Sequence, residues 1–273
     1  YDLAFGSTRF GTFDSKSRSS DMPMISKDNN YVISFNGDVY NFLTLKNDLI
    51  KKNIQFSTNV DTEVLLNGLI YEKEVFLKKI NGDFAFVFLN LEEKKIIFSR
   101  DSCGVIPLFY YVDKEQIIFS SEISPIIKIL KNKKSLEFNA KLYNYFLKTN
   151  EWLYDNNSNL LAYKNINSVK PGSINFVDLN NFKISTNSLL SIDTIINTTP
   201  PIKKEELENI ILKSLRLRLN TDKNIAIFLS GGLDSSLIVA LYLKYFKSEF
   251  DNVEFFTSED SPKDFEYVKY LSN

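Results

Sequence analysis

The sequence predicts two differently built sheets in one chain. An α+β part with an antiparallel sheet comes first, and the opening of an α/β part with a doubly wound parallel sheet follows. Three observations carry this. Between Phe84 and Ser120, short aromatic and β-branched runs alternate with turn residues and charge, the rhythm of antiparallel strands in a meander. At Ile196–Pro201 (INTTPP) the texture changes to small polar residues and two prolines, the composition of a connector. Beyond it come a helical pattern, an apolar run, a glycine loop, a helix and a strand, the order that opens a doubly wound domain.

Taken in order, Tyr31–Phe35 reads as a short strand ending at the turn-like pair Asn36-Gly37. Leu43, Leu45, Leu49 and Ile50 lie at helical spacing, and so do Val64, Leu65 and Leu69 after Asp61. Phe84–Leu89, Ile96–Ser99, Leu108–Val112 and Gln116–Ser120 are the meander strands. Asn139–Leu147 reads as a helix, and Ser173–Val177 as a strand after Pro171-Gly172. In the second part, Lys203–Leu219 is a helix with Leu207, Ile210, Ile211, Leu215 and Leu219 on one face. Ile225–Leu229 is a continuous apolar run suited to a parallel strand buried on both faces. A helix over Ser235–Phe246, a strand over Val253–Thr257 and a last helix from about Lys263 complete the pattern. Two parallel strands are too few for an independent sheet of this type, so the second part reads as cut short. The opening residue Tyr1, without an evident first element, reads as the start of a fragment.

Composition narrows the chemistry. The 273 residues are 44 % hydrophobic and 25 % charged, enough for two ordinary domains. Lys and Arg total 33 against 34 Asp and Glu, so the basic excess expected of a nucleic-acid or anionic-membrane partner is missing. No apolar run is long enough to cross a bilayer, and no signal peptide is evident. A soluble cytoplasmic protein is the expectation. One cysteine, Cys103, rules out an internal disulfide and fits a reducing compartment. It is read as a small buried residue. The absence of histidine removes Ser-His-Asp and Cys-His catalysis and histidine-ligated metals.

The stretch Ser230-Gly231-Gly232-Leu233-Asp234-Ser235-Ser236 lies between the apolar strand and a helix. Two glycines let the backbone approach a ligand closely. The loop and first-turn amides point one way, where the helix dipole also favours an anion. Ser230, Ser235 and Ser236 can add hydroxyl donors. Asp234 would repel a bare phosphate, which suggests a bridging Mg²⁺. The loop lacks the Walker A lysine and does not match GxGxxG. The plainer alternative is a tight strand-to-helix turn with a capping serine.

SGGLDSS resembles the pyrophosphate-binding PP-loop of adenylating amidotransferases, and the preceding part resembles a class II glutaminase domain. Together they resemble the glutamine-dependent asparagine synthetases. Ser7-Thr8-Arg9-Phe10-Gly11-Thr12-Phe13-Asp14 stands where that family has an RLSIVD-like stretch. Asn36-Gly37-Asp38-Val39-Tyr40-Asn41 resembles its NGEIYN motif, and Asp61-Thr62-Glu63-Val64-Leu65 its D-x-E-V motif. Asn81-Gly82-Asp83-Phe84-Ala85-Phe86, Arg100-Asp101 through Pro107-Leu108, and Lys170-Pro171-Gly172 are further landmarks. The resemblance implies an N-terminal-nucleophile type αββα glutaminase sandwich over residues 1–190, lacking its N-terminal segment. A linker over 191–202 and the start of an ATP-pyrophosphatase domain over 203–273 would follow.

The resemblance also implies roles. Arg9 would clamp the glutamine α-carboxylate, and Asn36 with the Gly37 amide would form an oxyanion hole. Asp38 and Asp61 would bind the α-ammonium. The family more often has glutamate at the Asp38 position. The plainer alternatives are a hairpin turn for Asn36-Gly37, compatible with the oxyanion role, and a helix N-cap for Asp61. The family nucleophile, an N-terminal cysteine, would lie upstream of Arg9, and neither Tyr1 nor Cys103 takes its place. ATP would sit on Ser230–Ser236, with Leu229 and Ser258 near adenine and ribose at the strand ends, and with Mg²⁺ on Asp234. Glutamine, aspartate and ATP are the implied substrates, with neither nucleic acid nor membrane as partner; a homodimer is compatible with this. The other readings are a β-lactam-forming or peptide-cyclising relative and a non-catalytic scaffold.

Overall fold

The computed structural model describes residues 3–7, 21–131, 136–150, 162–189, 200–221 and 223–258. The chain falls into two compact units that change over between Thr198 and Thr199.

The first unit is built on two antiparallel sheets. The larger has six strands, β1 (Met24–Ile25), β2 (Tyr31–Val39), β3 (Gly82–Asn90), β4 (Lys95–Arg100), β8 (Ser173–Asp178) and β9 (Lys183–Ser188), in that spatial order. The smaller has β5 (Phe109–Val112) between β6 (Ile117–Ser120) and β7 (Ile166–Ser168). Period-two alternation sorts their side chains. Val32 is opposite Leu89 and Ile96 opposite Val177. These residues join Val87, Phe98, Leu108 and Val169 in one buried cluster between the sheets. Phe98 anchors it, with no solvent exposure and ring contacts to Tyr110 and Phe119 of the smaller sheet at 5.4 and 4.9 Å.

The alternate residues face helices. Ile33, Phe35, Phe86 and Phe88 are buried on the outer face of the larger sheet. There α2 (Asp61–Glu72) packs against β2 and against α1 (Phe42–Ile50), with the short α3 (Glu74–Leu77) beside it. On the smaller sheet, Tyr111 and Ile166 turn the other way and bury Ile126 and Leu130 of α4 (Ile123–Lys131). The layers are therefore helix, sheet, sheet, helix, the arrangement the resemblance implies. A helix over Ala140–Thr149, α5, is capped by the Asn139 carboxamide on the Leu142 amide at 3.3 Å.

Two readings of this unit are corrected. The meander holds only from β2 to β4; β5 and β6 leave for the second sheet, and β4 pairs with β8 instead. Asn36-Gly37 is not a turn. β2 runs straight through it to Val39, paired with β3 along its whole length. Gly37 is needed there because a Cβ would stand 2.0 Å from the Asp83 carbonyl oxygen, and because φ is +123°. The hairpin signal was a close strand-to-strand approach.

The second unit contains α6 (Lys204–Leu219), β10 (Ile225–Phe228), α7 (Leu233–Tyr245) and β11 (Val253–Phe256). β10 and β11 are parallel and in register from Ile225 with Val253 to Phe228 with Phe256. Leu212, Leu215, Leu219, Tyr242 and Phe246 pack on Ile225, Ile227 and Val253. The buried face of α6 is thus displaced from the expected stripe, since Leu207 and Ile210 are half exposed. Burial of β10 on both faces is also not observed. Its helices cover one face only, and on the other Phe228 is 77 % exposed. The expected helix from Lys263 lies outside the described residues.

Candidate active site

In the first unit the end of β2 and the start of α2 meet. Asp61 is the first residue of α2, and Val60 rather than Asp61 holds the cap position. The Asp61 carboxylate turns to the sheet and accepts the Val39 amide at 2.9 Å. Burial pushes its pKa up to about 6; the Val39 hydrogen bond opposes this and the nearby Asp38 charge adds to it. Desolvation outweighs the hydrogen bond here because the side chain is almost wholly removed from water.

Asp38 is the cross-strand partner of Asp83, and the Asp83 carboxylate accepts the Tyr40 hydroxyl at 2.8 Å. Three carboxylates from β2, β3 and α2 therefore surround one strand end. Two residues before Asp38, Asn36 is exposed on the face that looks toward the second sheet, opposite Ala85. Its Nδ2 donates to Ser121 Oγ at 3.4 Å. The fold thus brings Asp61 to the end of β2 beside Asp38, and Asn36 and Gly37 precede Asp38 on the same strand. Arg9, with residues 8–14 of its stretch, lies outside the described residues.

Other landmarks build scaffold. Glu63 accepts the Ser57 and Thr58 amides at 2.7 and 2.6 Å and the Thr58 hydroxyl at 2.6 Å, which fixes the loop before α2. Asp101 is buried and accepts the amides of Cys103, Val105 and Ile106 at 2.9 to 3.0 Å. Arg100 donates to the carbonyls of Ile106 and Val169 at 2.6 and 3.3 Å and to that of Gly104. Gly172 donates back to the Asp101 carbonyl at 2.9 Å. Cys103 is exposed on the outside of this loop, contrary to the expectation of burial. Its amide is drawn inward to Asp101, and its side chain is left facing solvent.

The second unit carries the glycine loop. Leu229 closes β10, its amide donating to the Phe256 carbonyl at 2.7 Å. Gly231 has φ +77°, a left-handed position that glycine adopts without strain. Gly232 is the N-cap of α7, and the first helical bond runs from the Ser236 amide to its carbonyl at 3.1 Å. The amides of Leu233, Asp234 and Ser235 precede that bond and open toward solvent, as helix starts do. Ser230 and Ser235 hydroxyls lie 3.0 Å apart, and the Ser235 hydroxyl also contacts the Ser230 amide and the Gly232 carbonyl at 3.2 Å. Two of the serines read as donors thus brace the loop itself. Asp234 is exposed in the first turn of α7. By register, Ser258 lies beyond β11 at the same sheet end as Ser230. A strand, a glycine loop and the start of a helix fit a phosphate chain. One carboxylate beside it fits a Mg²⁺ whose remaining ligands are phosphate oxygens and water. Among the described residues no group of three or more acidic or sulfur side chains could hold a metal by itself.

The first unit is thus a double-sheet sandwich with an acidic strand end, and the second a β-α-β unit with a glycine loop. The chain belongs to the glutamine amidotransferase domain family, which it matches over residues 1–188. Residues 206–273 match the asparagine synthase family. The chain is 28 % identical over 253 residues to asparagine synthetase [glutamine-hydrolyzing] 1 of Bacillus subtilis, covering 90 % of this chain and 38 % of that protein. It is 31 % identical over 224 residues to a putative asparagine synthetase [glutamine-hydrolyzing] 2 of Methanocaldococcus jannaschii, covering 78 % and 40 %. The chain spans about two-fifths of the length of these curated relatives. A solved glutamine phosphoribosylpyrophosphate amidotransferase from Bacillus subtilis is similar over 92 % of this chain and 50 % of that one, at 15 % identity and TM-score 0.47.

Ser121 and Asp83 are additions to the residues read from sequence. The signal for Ser121 was Ser120-Ser121-Glu122 ahead of a helix, and Ile123–Lys131 was not recognised as one. Asp83 stood inside a quoted landmark, but its place opposite Asp38 follows only from strand register.

Proposed function

We propose that this chain is part of a glutamine-hydrolysing asparagine synthetase. Ammonia released from glutamine would convert an ATP-activated aspartate to asparagine, with AMP and pyrophosphate as products. The observation that carries the reading is one polypeptide with an acidic strand end in a glutamine amidotransferase domain and a glycine loop between strand and helix in a part that matches the asparagine synthase family.

In the glutaminase half, Asp61 and Asp38 would hold the α-ammonium of glutamine, each as a carboxylate. Burial raises the pKa of Asp61 to about 6, and a bound ammonium would favour its ionised form, so substrate and ionised Asp61 favour one another. Arg9 would take the α-carboxylate. Asn36 Nδ2 and the Gly37 amide would donate to the oxygen that gains charge as the side-chain amide is attacked. No residue of this chain is assigned as the nucleophile. In the synthetase half, Ser230–Ser236 would hold the phosphates and Asp234 the Mg²⁺, with Leu229 and Ser258 beside the nucleoside. Bound ATP would supply the leaving pyrophosphate, and Mg²⁺ would neutralise part of its charge. The loop's amides would position the pyrophosphate and offset its charge, and Asp234 would act only by holding the Mg²⁺. We place the activity in the cytoplasm, which the single cysteine supports. No described helix is long and apolar enough to cross a membrane.

The test is to assay the full-length polypeptide for glutamate formation and, with aspartate, for pyrophosphate release. Asparagine formed in step with both supports the reading. Pyrophosphate release that depends on a different carboxylate would overturn the acceptor.

A further inference from the structure

The Asn36 carboxamide is held from the opposite sheet. Its Nδ2 donates to Ser121 Oγ at 3.4 Å across 85 residues of sequence. Asn36 lies at an inward-looking position of β2, opposite the core residue Ala85. Ser121 follows β6 directly, at the turn into α4. Its neighbour Ser120 is engaged locally, since its hydroxyl accepts the Glu122 amide at 3.2 Å. That bond shapes the turn and leaves Ser121 to face Asn36.

A carboxamide nitrogen carries two hydrogens. The terminal torsion of asparagine is broad, so an exposed carboxamide does not by itself keep one N–H on a fixed line. With one hydrogen directed at Ser121, the plane of the group is set and the second N–H has a defined direction. We propose that Ser121 is a positioning residue for glutamine hydrolysis, orienting Asn36 toward the developing oxyanion. The proposal rests on the reading of Asn36 as the oxyanion donor. Ser121 touches no reacting atom and acts through Asn36 alone.

The experiment measures glutamate formation by the full-length polypeptide for the wild type, Asn36→Ala, Ser121→Ala, the double variant and Ser121→Thr. Ser121→Ala is expected to lower kcat about five- to tenfold, the value of one modest hydrogen bond. KM and melting temperature should stay unchanged, because both side chains are exposed. Ser121→Thr, which keeps the hydroxyl, should restore kcat. In the Asn36→Ala background, Ser121→Ala should add nothing. Normal kcat in Ser121→Ala, an equal loss in the Asn36→Ala background, or a loss that tracks a lowered melting temperature would overturn the proposal while leaving the Asn36 reading intact. Normal kcat in Asn36→Ala, or no glutamate from the wild type, would remove that reading and the proposal with it.

Discussion

Asn36-Gly37 and Ser230-Gly231-Gly232 look alike as glycine-bearing stretches, yet glycine answers a different demand in each. Gly37 sits inside a nine-residue strand, where the neighbouring backbone leaves no room for a side chain. Gly231 and Gly232 sit at an open strand-to-helix junction. A Cβ on Gly232 would meet nothing nearer than the Ser230 hydroxyl at 3.4 Å. Gly37 and Gly231 are required by the backbone. Gly232 leaves its surroundings open.

The largest effect that would break this comparison concerns Gly37. Gly37→Ala should cost roughly 3 kcal/mol or more, since clash and left-handed backbone strain add. Denaturant unfolding of the chain checks it, and a loss below about 1 kcal/mol would mean that β2 and β3 can separate locally.

Next comes the loop. In the full-length polypeptide, Asp234→Asn should lower pyrophosphate release by about two to three orders of magnitude. Melting temperature and glutamate formation should hardly change, because Asp234 is exposed. Parallel loss of both half-reactions would reduce Asp234 to a structural residue.

Asp61 offers a pH test of the buried site. Its folded pKa of about 6 lies above the ordinary 3.8, so the folded state holds the proton more tightly. The associated stability is complete below the unfolded value and is lost as pH rises through about 6, a difference of about 3 kcal/mol. Asp61→Asn should therefore gain most over the wild type at about pH 7.5 and least at about pH 4. A gain that does not vary with pH would show that Asp61 is not the group titrating. Glutamine binding, followed by calorimetry, should strengthen about tenfold from pH 5 to pH 7 as Asp61 ionises.

The smallest expected change is in Gly232→Ala. With φ −73° at an exposed cap, it should lower stability by only about 1 kcal/mol. ATP binding should nevertheless weaken, because the methyl group would occupy the approach to the phosphates. Unchanged ATP binding would mean that phosphate does not come close to Gly232.

These contrasts also mark how far the sequence could be read. Strands such as Phe84–Leu89 and the helix opening at Asp61 were legible because their apolar spacing is dense. The split into two sheets was not legible from spacing. β5 and β6 have the same local pattern as β3 and β4, and only the pairing of β4 with β8, more than seventy residues on, separates them. Asn36-Gly37 misled because its local preference is that of a turn, whereas partners distant in sequence hold it extended. The site was legible where residues are contiguous, as in Ser230–Ser236. It was less so where it depends on register, as with Asp83, or on a contact between sheets, as with Ser121. The displaced face of α6 has a similar origin, for its stripe is chosen by what β10 and β11 present.

The loop from Arg100 to Leu108 has a practical consequence. Asp101 gathers three amides, Arg100 holds three carbonyls, and Gly172 ties the loop to the turn beyond Pro171. Cys103 stands outward on this braced frame and is the chain's single thiol. A maleimide dye or spin label would attach there without engineering. Because its anchor is fixed at both ends of the loop, the probe would report the rotation of the whole first unit instead of local loop motion.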